Sequence, residues 1–146
     1  MKVIEVEGAT GNWDTNFKGK AEAAADALLN GLDFVYIHME APDECGHHGD
    51  VERKIYSIER IDSVVIPTLI SKFEKAGEKF AMLVTPDHPT PCACKTHVSD
   101  PVPYLLYTNA KNLNCGAVRY TEDEAKKSGI FVADGYKLIE KLLAVK

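Results

Sequence analysis

The fold is decided by residues 80–91, which read FAMLVTPDHPTP. A short apolar run ends here at Val84, and Asp87 and His88 follow it closely. Such a run, bounded by turn-forming residues, is typical of a buried strand. Ligands of α/β proteins bind beyond the carboxyl ends of their strands. The stretch therefore predicts a strand over residues 79–85 and a polar site at the end of that strand.

Two further patches of aspartate and histidine lie beside predicted strands. Asp43 and His47 follow the apolar run over residues 33–39, and His97 precedes the run over residues 102–108. The run over 33–39 is apolar at nearly every position, which is typical of a strand that is covered on both faces. We therefore expect the three patches to form one polar site at one edge of a sheet.

Strands and helices alternate along the rest of the chain. Residues 2–7 alternate apolar and polar side chains and predict another strand, whereas residues 43–50 are predicted to form a polar loop. Strand–helix alternation with doubly covered strands favours an α/β fold with a largely parallel sheet. The predicted helices begin after capping residues at Thr15 or Asn16, Asp50, Thr121 and Asp134.

The longest predicted helix runs from Asp50 to about Lys75. Pro67 is expected to kink or split it, and Gly77 is expected to end it. Apolar side chains recur along it at spacings of three and four, which predicts one buried stripe. That stripe consists of Ile55, Ile58, Ile61, Val65, Leu69 and Phe73, and the last helix is predicted to bury Leu138, Ile139, Leu142 and Leu143.

Composition narrows the class of protein. The 146 residues suit one domain with a real core. The formal net charge is -5 and no cluster of Lys and Arg stands out, which argues against nucleic acid or an anionic membrane as a partner. No apolar run approaches the roughly 18 residues of a membrane span. The chain begins with no secretory signal pattern, so we expect a cytoplasmic protein with reduced cysteines.

The clustered residue types indicate a metal site. Asp43 and His47 are four residues apart and share one face if that turn is helical. Imidazole and carboxylate together suit Zn²⁺, Mn²⁺ or Fe²⁺ better than Ca²⁺. Five ligands exceed the usual three of one catalytic zinc ion, but they fit two metals, as in enzymes of phosphoryl transfer. Two alternatives stay open: loop residues with no role, and a structural zinc site formed by Cys92, Cys94, His88 and His97.

Four motifs carry a resemblance to a known family. In chain order they are GATG at 8–11, EAPDECGH at 40–47, TPDHPTP at 85–91 and THVSDPVP at 96–103. With them the chain resembles the C-terminal part of a cofactor-independent (2,3-bisphosphoglycerate-independent) phosphoglycerate mutase of the archaeal type, in the alkaline phosphatase superfamily. The resemblance implies part of a three-layer sandwich with a largely parallel sheet, and residues 1–146 as a single domain.

The resemblance also implies roles for the candidate residues. Asp43, His47 and His97 would hold one divalent metal, and Asp87 and His88 would hold another, the ions being Mn²⁺, Mg²⁺ or Zn²⁺. In the family, an aspartate and a nucleophilic serine from near the N-terminus complete the second site. The serines here lack the matching context, so we identify no catalytic and no substrate-binding residue. Among these serines are Ser57, Ser63, Ser71 and Ser99.

We therefore expect a fragment that lacks the nucleophile segment and the inserted substrate domain. Its parent would interconvert 3-phosphoglycerate and 2-phosphoglycerate through a phosphoserine intermediate. Alone, the chain is expected to be inactive, to bind metal more weakly at the second site, and to self-associate through the surface left by the missing half. The alternatives are another metallohydrolase of the alkaline phosphatase superfamily and a non-catalytic metal-binding module.

Overall fold

A computed structural model describes residues 2–145. The chain divides into two compact units. The first unit contains the residues up to Glu78 together with Thr90–Val98, and the second contains Lys79–Pro89 together with the chain from Ser99 onward. No helix among the described residues is both long enough and apolar enough to cross a membrane.

Helices form the first unit. The Asn16 side chain accepts a hydrogen bond from the Gly19 amide at 2.8 Å, which confirms the predicted cap of the first helix. That helix packs against the last helix of the unit through buried alanines, whose small side chains allow close approach. The helices are α1 (Phe17–Leu29), α2 (Ala41–His48), α3 (Val51–Arg60) and α4 (Ile66–Ala76), with a π-helical segment over Ile61–Val65.

The predicted long helix is present, but its buried stripe is only half correct. Asp50 caps its start, and Gly77 ends it in the left-handed conformation, both as predicted. The π segment lies just before Pro67 and adds a residue to one turn, which rotates the following face by about 100°. The two halves of the stripe therefore fall out of phase. Val65, Leu69 and Phe73 are buried, whereas Ile55 and Ile58 are exposed.

The polar loop predicted over residues 43–50 is wrong, because most of it is helix α2. Pro42 lies in its first turn, where a fixed φ favours the helix and the missing N–H has no cost. Asp43 and Glu44 occupy that first turn, where their negative charges complement the helix dipole. Gly49 ends the helix with φ of 72°.

Two predicted strands, over residues 2–7 and 33–39, are not strands in the structure. A strand exists only through hydrogen bonds to a neighbouring strand, and no described residue supplies that neighbour. Residues 34–40 nevertheless alternate between exposed and half-buried. Val35 and Ile37 are partly covered while Phe34 and Tyr36 are exposed, so only one face of the segment is covered.

The second unit contains an antiparallel pair of strands, β1 (Ala81–Val84) and β2 (Leu105–Thr108), with Ala81 opposite Thr108. Both lie inside predicted strands, but the described residues do not confirm a largely parallel sheet, because the two strands that would extend it are unpaired. Helices α5 (Glu122–Lys127) and α6 (Leu138–Leu143) follow. Of the four residues predicted to be buried in α6, Leu138 and Leu142 are half-buried, and Ile139 and Leu143 are exposed.

Candidate metal centre

Helix α2 places Asp43 and His47 on one face, one turn apart. The His47 Nε2 atom lies 3.3 Å from Asp43 Oδ2. The pairing depends on the helix, since residues four apart are neighbours only in that conformation. The correction of the predicted loop to a helix therefore brings these two ligand candidates together.

The segment Thr90–Val98 brings a third side chain to the same place. The Nε2 atoms of His97 and His47 are 3.0 Å apart, and His97 Nε2 lies 3.4 Å from Asp43 Oδ1. Each imidazole thus faces its own oxygen of one carboxylate. Among the described residues, Asp43, His47 and His97 form the group of three or more His, Cys, Asp or Glu residues whose donor atoms converge within 4.8 Å.

A backbone carbonyl fixes the orientation of His47. Its Nδ1 atom lies 3.1 Å from the carbonyl oxygen of Lys95, which can only accept a hydrogen bond. Nδ1 therefore carries the proton of the neutral ring, and the lone pair of Nε2 points at the cluster. Histidines that ligate metals have their second nitrogen held in this way, because the hydrogen bond fixes both tautomer and ring direction.

The donor spacings fit a single small cation. A tetrahedral Zn²⁺ site with bonds of about 2.0–2.1 Å has ligand atoms about 3.3 Å apart. An octahedral Mg²⁺ site with similar bonds has neighbouring ligand atoms about 3 Å apart. The observed spacings of 3.0, 3.3 and 3.4 Å lie in this range. The residues present therefore fit a divalent metal, and two neutral imidazoles with one carboxylate form a set common to Zn²⁺, Mn²⁺ and Fe²⁺.

The cluster is open on one side. The side chains of Asp43, His47 and His97 are 27%, 35% and 49% exposed. Structural zinc sites are closed by four protein ligands, whereas catalytic sites keep a position for water or substrate. Three partly exposed protein ligands are the arrangement of a catalytic site, which keeps a position for water or substrate.

Asp87 and His88 belong to the second unit. The His88 Nε2 atom lies 3.2 Å from Asp87 Oδ2, and the His88 amide donates to Asp87 Oδ1 at 3.1 Å. Two neighbouring side chains in the loop after β1 are thus turned toward each other. They present a carboxylate and an imidazole side by side at the carboxyl end of the strand, where the sequence predicted them.

The alternative zinc site formed with cysteines is not seen among the described residues. Cys92 and Cys94 are free thiols outside the converging group. Cys45 is buried beneath the site in α2, and this burial raises the pKa of its thiol.

Sequence reasoning missed two residues beside the cluster. Thr90 is buried and its hydroxyl donates to Asp43 Oδ1. Lys54 is half-buried and donates to the carbonyl oxygen of Thr90 at 2.7 Å. No sequence pattern marks Lys54, because its half-burial among the exposed residues of the first turns of α3 is visible only in the structure.

A comparison with family models matches residues 1–138 to the metalloenzyme superfamily. The chain belongs to this superfamily. Membership supports dependence on divalent metal and agrees with the converging Asp43, His47 and His97. It does not specify the ion or the number of ions.

Curated relatives of this metalloenzyme superfamily member are longer proteins. It is 46% identical over 143 residues to a protein of Geobacter sulfurreducens named probable 2,3-bisphosphoglycerate-independent phosphoglycerate mutase, covering 98% of this chain and 35% of the relative. It is 42% identical over 146 residues to the mutase of that name from Methanosarcina barkeri, covering 100% of this chain and 36% of the relative. The chain thus spans about a third of the length of these relatives.

A solved structure is also similar. The PH0037 protein of Pyrococcus horikoshii matches with a TM-score of 0.84 at 32% sequence identity. The match covers 97% of this chain and 42% of that one. The polypeptide of this superfamily member therefore follows a course already known from a larger protein.

Proposed function

We propose that this chain is the metal-binding part of a cofactor-independent phosphoglycerate mutase. The observation that carries the proposal is the convergence of Asp43, His47 and His97 with spacings suited to one cation. Relatives that match nearly the whole chain at 40–46% identity bear the name of that enzyme, which supports the substrate. The substrate is then phosphoglycerate, whose phosphoryl group moves between the 3- and 2-hydroxyls.

The five candidate ligands divide between two metals in this proposal. Asp43, His47 and His97 hold one divalent ion, and Asp87 and His88 contribute to a second; Mn²⁺, Mg²⁺ and Zn²⁺ all accept such ligands. A divalent ion held there neutralises charge on a transferring phosphoryl group and lowers the pKa of a hydroxyl beside it. The chain's own side chains supply fixed donors and an open face for substrate.

The nucleophile is not proposed within these 146 residues. Ser57 is buried with its hydroxyl bound to the Arg53 carbonyl, and the Ser63 hydroxyl is bound to the Glu59 carbonyl. Both hydroxyls are thus engaged along the long helix. We propose that a serine elsewhere in the complete enzyme receives the phosphoryl group and returns it.

The finer features of the fold and partners are part of the same proposal. We infer that the complete enzyme is an alkaline phosphatase-like, three-layer sandwich, in which residues 33–39 join a largely parallel sheet. Their period-two exposure supports this, since one face is partly covered and the other is free for a further layer. A cytoplasmic location and self-association of the isolated chain stay predictions.

The metal proposal is tested by titrating the 146-residue chain with Mn²⁺ in a calorimeter. We expect one site, and we expect His47→Ala to weaken it by more than the roughly 10- to 100-fold typical of an outer-shell loss. His48→Ala is the matched control, because His48 is the next residue of α2 and its ring bonds the Glu44 carbonyl instead. Equal affinity in both variants contradicts the assignment.

The substrate proposal is tested by a chimera. The matching third of the Methanosarcina barkeri relative is replaced with this chain, and conversion of 3-phosphoglycerate to 2-phosphoglycerate is followed. We expect activity in the chimera, loss of activity with His47→Ala, and no activity in this chain alone. A folded chimera that hydrolyses phosphate esters but does not isomerise phosphoglycerate would assign the chain to a different metallohydrolase.

A further inference from the structure

We propose that Thr90 is a positioning residue that holds the Asp43 carboxylate in place for the metal, and that Lys54 and Gly46 hold Thr90 in turn. This inference rests on the proposed metal site and assigns a supporting structure to it. Three features of the first unit support it: the buried Thr90 hydroxyl, the Lys54 ammonium group and the close approach of the backbone at Gly46.

The Thr90 hydroxyl has a defined direction. Thr90 is 4% exposed, so its hydroxyl has little access to water and needs a partner. It donates to Asp43 Oδ1, the oxygen that faces His97. The bond fixes the rotation of the carboxylate, which leaves Oδ2 toward His47. A carboxylate whose orientation is already fixed by a hydrogen bond loses less rotational freedom when it binds a cation.

Lys54 anchors the backbone of Thr90 to a second helix. Its ammonium group on α3 donates to the Thr90 carbonyl oxygen at 2.7 Å. A charged donor makes a stronger hydrogen bond than a neutral one, and this bond is partly buried. The chain of contacts thus runs from α3 through Thr90 to Asp43 on α2.

Gly46 makes the close approach possible. A Cβ atom at this position would lie 2.3 Å from the Thr90 carbonyl oxygen, 3.0 Å from the Thr90 Cβ atom and 2.9 Å from Lys54 Nζ. The first of these distances is impossible for a real side chain, so only glycine fits. Gly46 lies three residues after Asp43 in α2, so the two positions share one face of the helix. The absence of a side chain there lets the Thr90–Val98 segment lie against the metal-facing side of the helix.

The experiment separates positioning from simple stability. Thr90→Val keeps the shape and removes the donor, and Thr90→Ser keeps the donor. For each variant of the 146-residue chain, Mn²⁺ affinity is measured by calorimetry and the metal-free unfolding midpoint by circular dichroism. We expect Thr90→Val to weaken Mn²⁺ binding by about 10- to 100-fold, as for other outer-shell partners of ligands, and Thr90→Ser to retain most of the affinity.

Thr108→Val is the matched control. Thr108 is also a buried threonine, and it belongs to the second unit. Its hydroxyl donates to the Phe80 carbonyl oxygen at 2.8 Å. We expect this variant to lower the unfolding midpoint while it keeps the wild-type Mn²⁺ affinity. Lys54→Met, which removes the anchor from the other end, is expected to weaken Mn²⁺ binding less than Thr90→Val does.

The outcomes distinguish the two proposals. Wild-type Mn²⁺ affinity in both Thr90→Val and Lys54→Met overturns the positioning role, as does an equal loss of affinity in Thr108→Val. If Thr90→Val does not fold, the other two variants decide. Weaker Mn²⁺ binding in Lys54→Met with retained binding in Thr90→Ser supports the positioning role, and wild-type affinity in Lys54→Met overturns it. If the wild-type chain binds no Mn²⁺, or His47→Ala binds as tightly as wild type, the metal site itself is wrong and both proposals fall.

Discussion

At the scale of single residues, Tyr120 ties together the ends of two segments in the second unit. Its hydroxyl donates toward the Pro103 carbonyl at 3.0 Å and the Val84 carbonyl at 3.3 Å. Burial of this group raises the pKa of Tyr120 to about 12, and the nearby Glu122 carboxylate adds to the rise. Val84 ends β1, so the contact holds the strand from which the loop with Asp87 leaves.

Tyr120→Phe is expected to cost about 1 kcal/mol in free energy of unfolding at pH 8, because two carbonyls lose their donor. The native hydroxyl keeps its proton to higher pH than the unfolded one, whose pKa is about 10. The contribution is therefore complete below pH 10 and is lost as the pH rises through about 12. Urea unfolding of both proteins at about pH 8 and about pH 11.5 measures the difference. A difference that does not change between the two conditions contradicts the assignment.

Lys95, which lies beside the candidate site, adopts a left-handed backbone conformation with φ of 55°. Its carbonyl accepts the hydrogen bond from His47 Nδ1, so this conformation orients a candidate ligand. Gly49 lies close by, and a Cβ atom there would be 2.6 Å from the Cε atom of Lys95. Local strain at a site is expected where the backbone itself supplies a contact.

Lys95→Val is expected to lower the free energy of unfolding by about 1–2 kcal/mol and to weaken metal binding, because a β-branched residue is a true outlier at positive φ. Lys95→Gly is the matched variant, since glycine accepts this conformation and keeps the carbonyl. We expect it to retain the Mn²⁺ affinity measured by calorimetry. Equal behaviour of the two variants would show that the backbone conformation has no bearing on His47.

At the scale of elements, the long helix shows how one π segment redirects an apolar face. The extra residue in the π segment Ile61–Val65 rotates the apolar face of α4 about the helix axis relative to that of α3. Helix α4 then packs its apolar side chains against α1, where Ala21 and Ala25 allow close approach. Helix α3 instead contacts α2 and turns Lys54 and Ser57 inward, which serves the candidate site.

Phe73→Ala and Ile58→Ala test this phase change as a pair. Both residues belong to the predicted stripe, but Phe73 is 5% exposed and Ile58 is 49% exposed. We expect Phe73→Ala to lower the free energy of unfolding by about 3–5 kcal/mol through lost burial and a cavity. Ile58→Ala is expected to change it by about 1 kcal/mol or less. If urea unfolding shows that both variants lose a similarly large free energy of unfolding, the apolar stripe is continuous and the phase change is wrong.

At the scale of the whole molecule, large apolar side chains remain exposed in each unit. Val3 and Tyr36 in the first unit are 82% and 62% exposed, and Val118 in the second is 83% exposed. Exposed apolar patches of this kind mark surfaces that bind other protein. The chain also spans about a third of the length of its relatives, which makes the proposed further layers of the fold a natural cover for them.

We expect the isolated chain to self-associate, and sedimentation equilibrium over a range of protein concentrations measures this. Phe34→Lys with Tyr36→Lys places charge on the open face of residues 33–39 and is expected to weaken association. The control is Glu59→Lys, which changes the net charge by the same two units at an exposed polar position. A strictly monomeric profile at high concentration would contradict the prediction.

Much of the local structure follows from the sequence because its causes are local. The caps at Asn16 and Asp50 and the glycine stop at Gly77 involve residues within one turn. The residue types of the candidate site follow too, since clustered carboxylate and imidazole side chains favour a divalent metal. Helix α2 could not be predicted from apolar periodicity, because its stability comes from Pro42, its terminal charges and packing on α3.

The sequence by itself determined the membership of a metalloenzyme superfamily, the helix caps at Asn16, Asp50 and Thr121, and the five candidate ligands. The tertiary structure decided which of them meet. His47 and His97 are fifty positions apart, and only the packing of Thr90–Val98 on α2 sets their Nε2 atoms 3.0 Å apart. The tertiary structure also decided that Thr90 hydrogen-bonds Asp43 and that Lys54 hydrogen-bonds Thr90. Such contacts join segments that are distant in sequence, so sequence patterns do not reveal them.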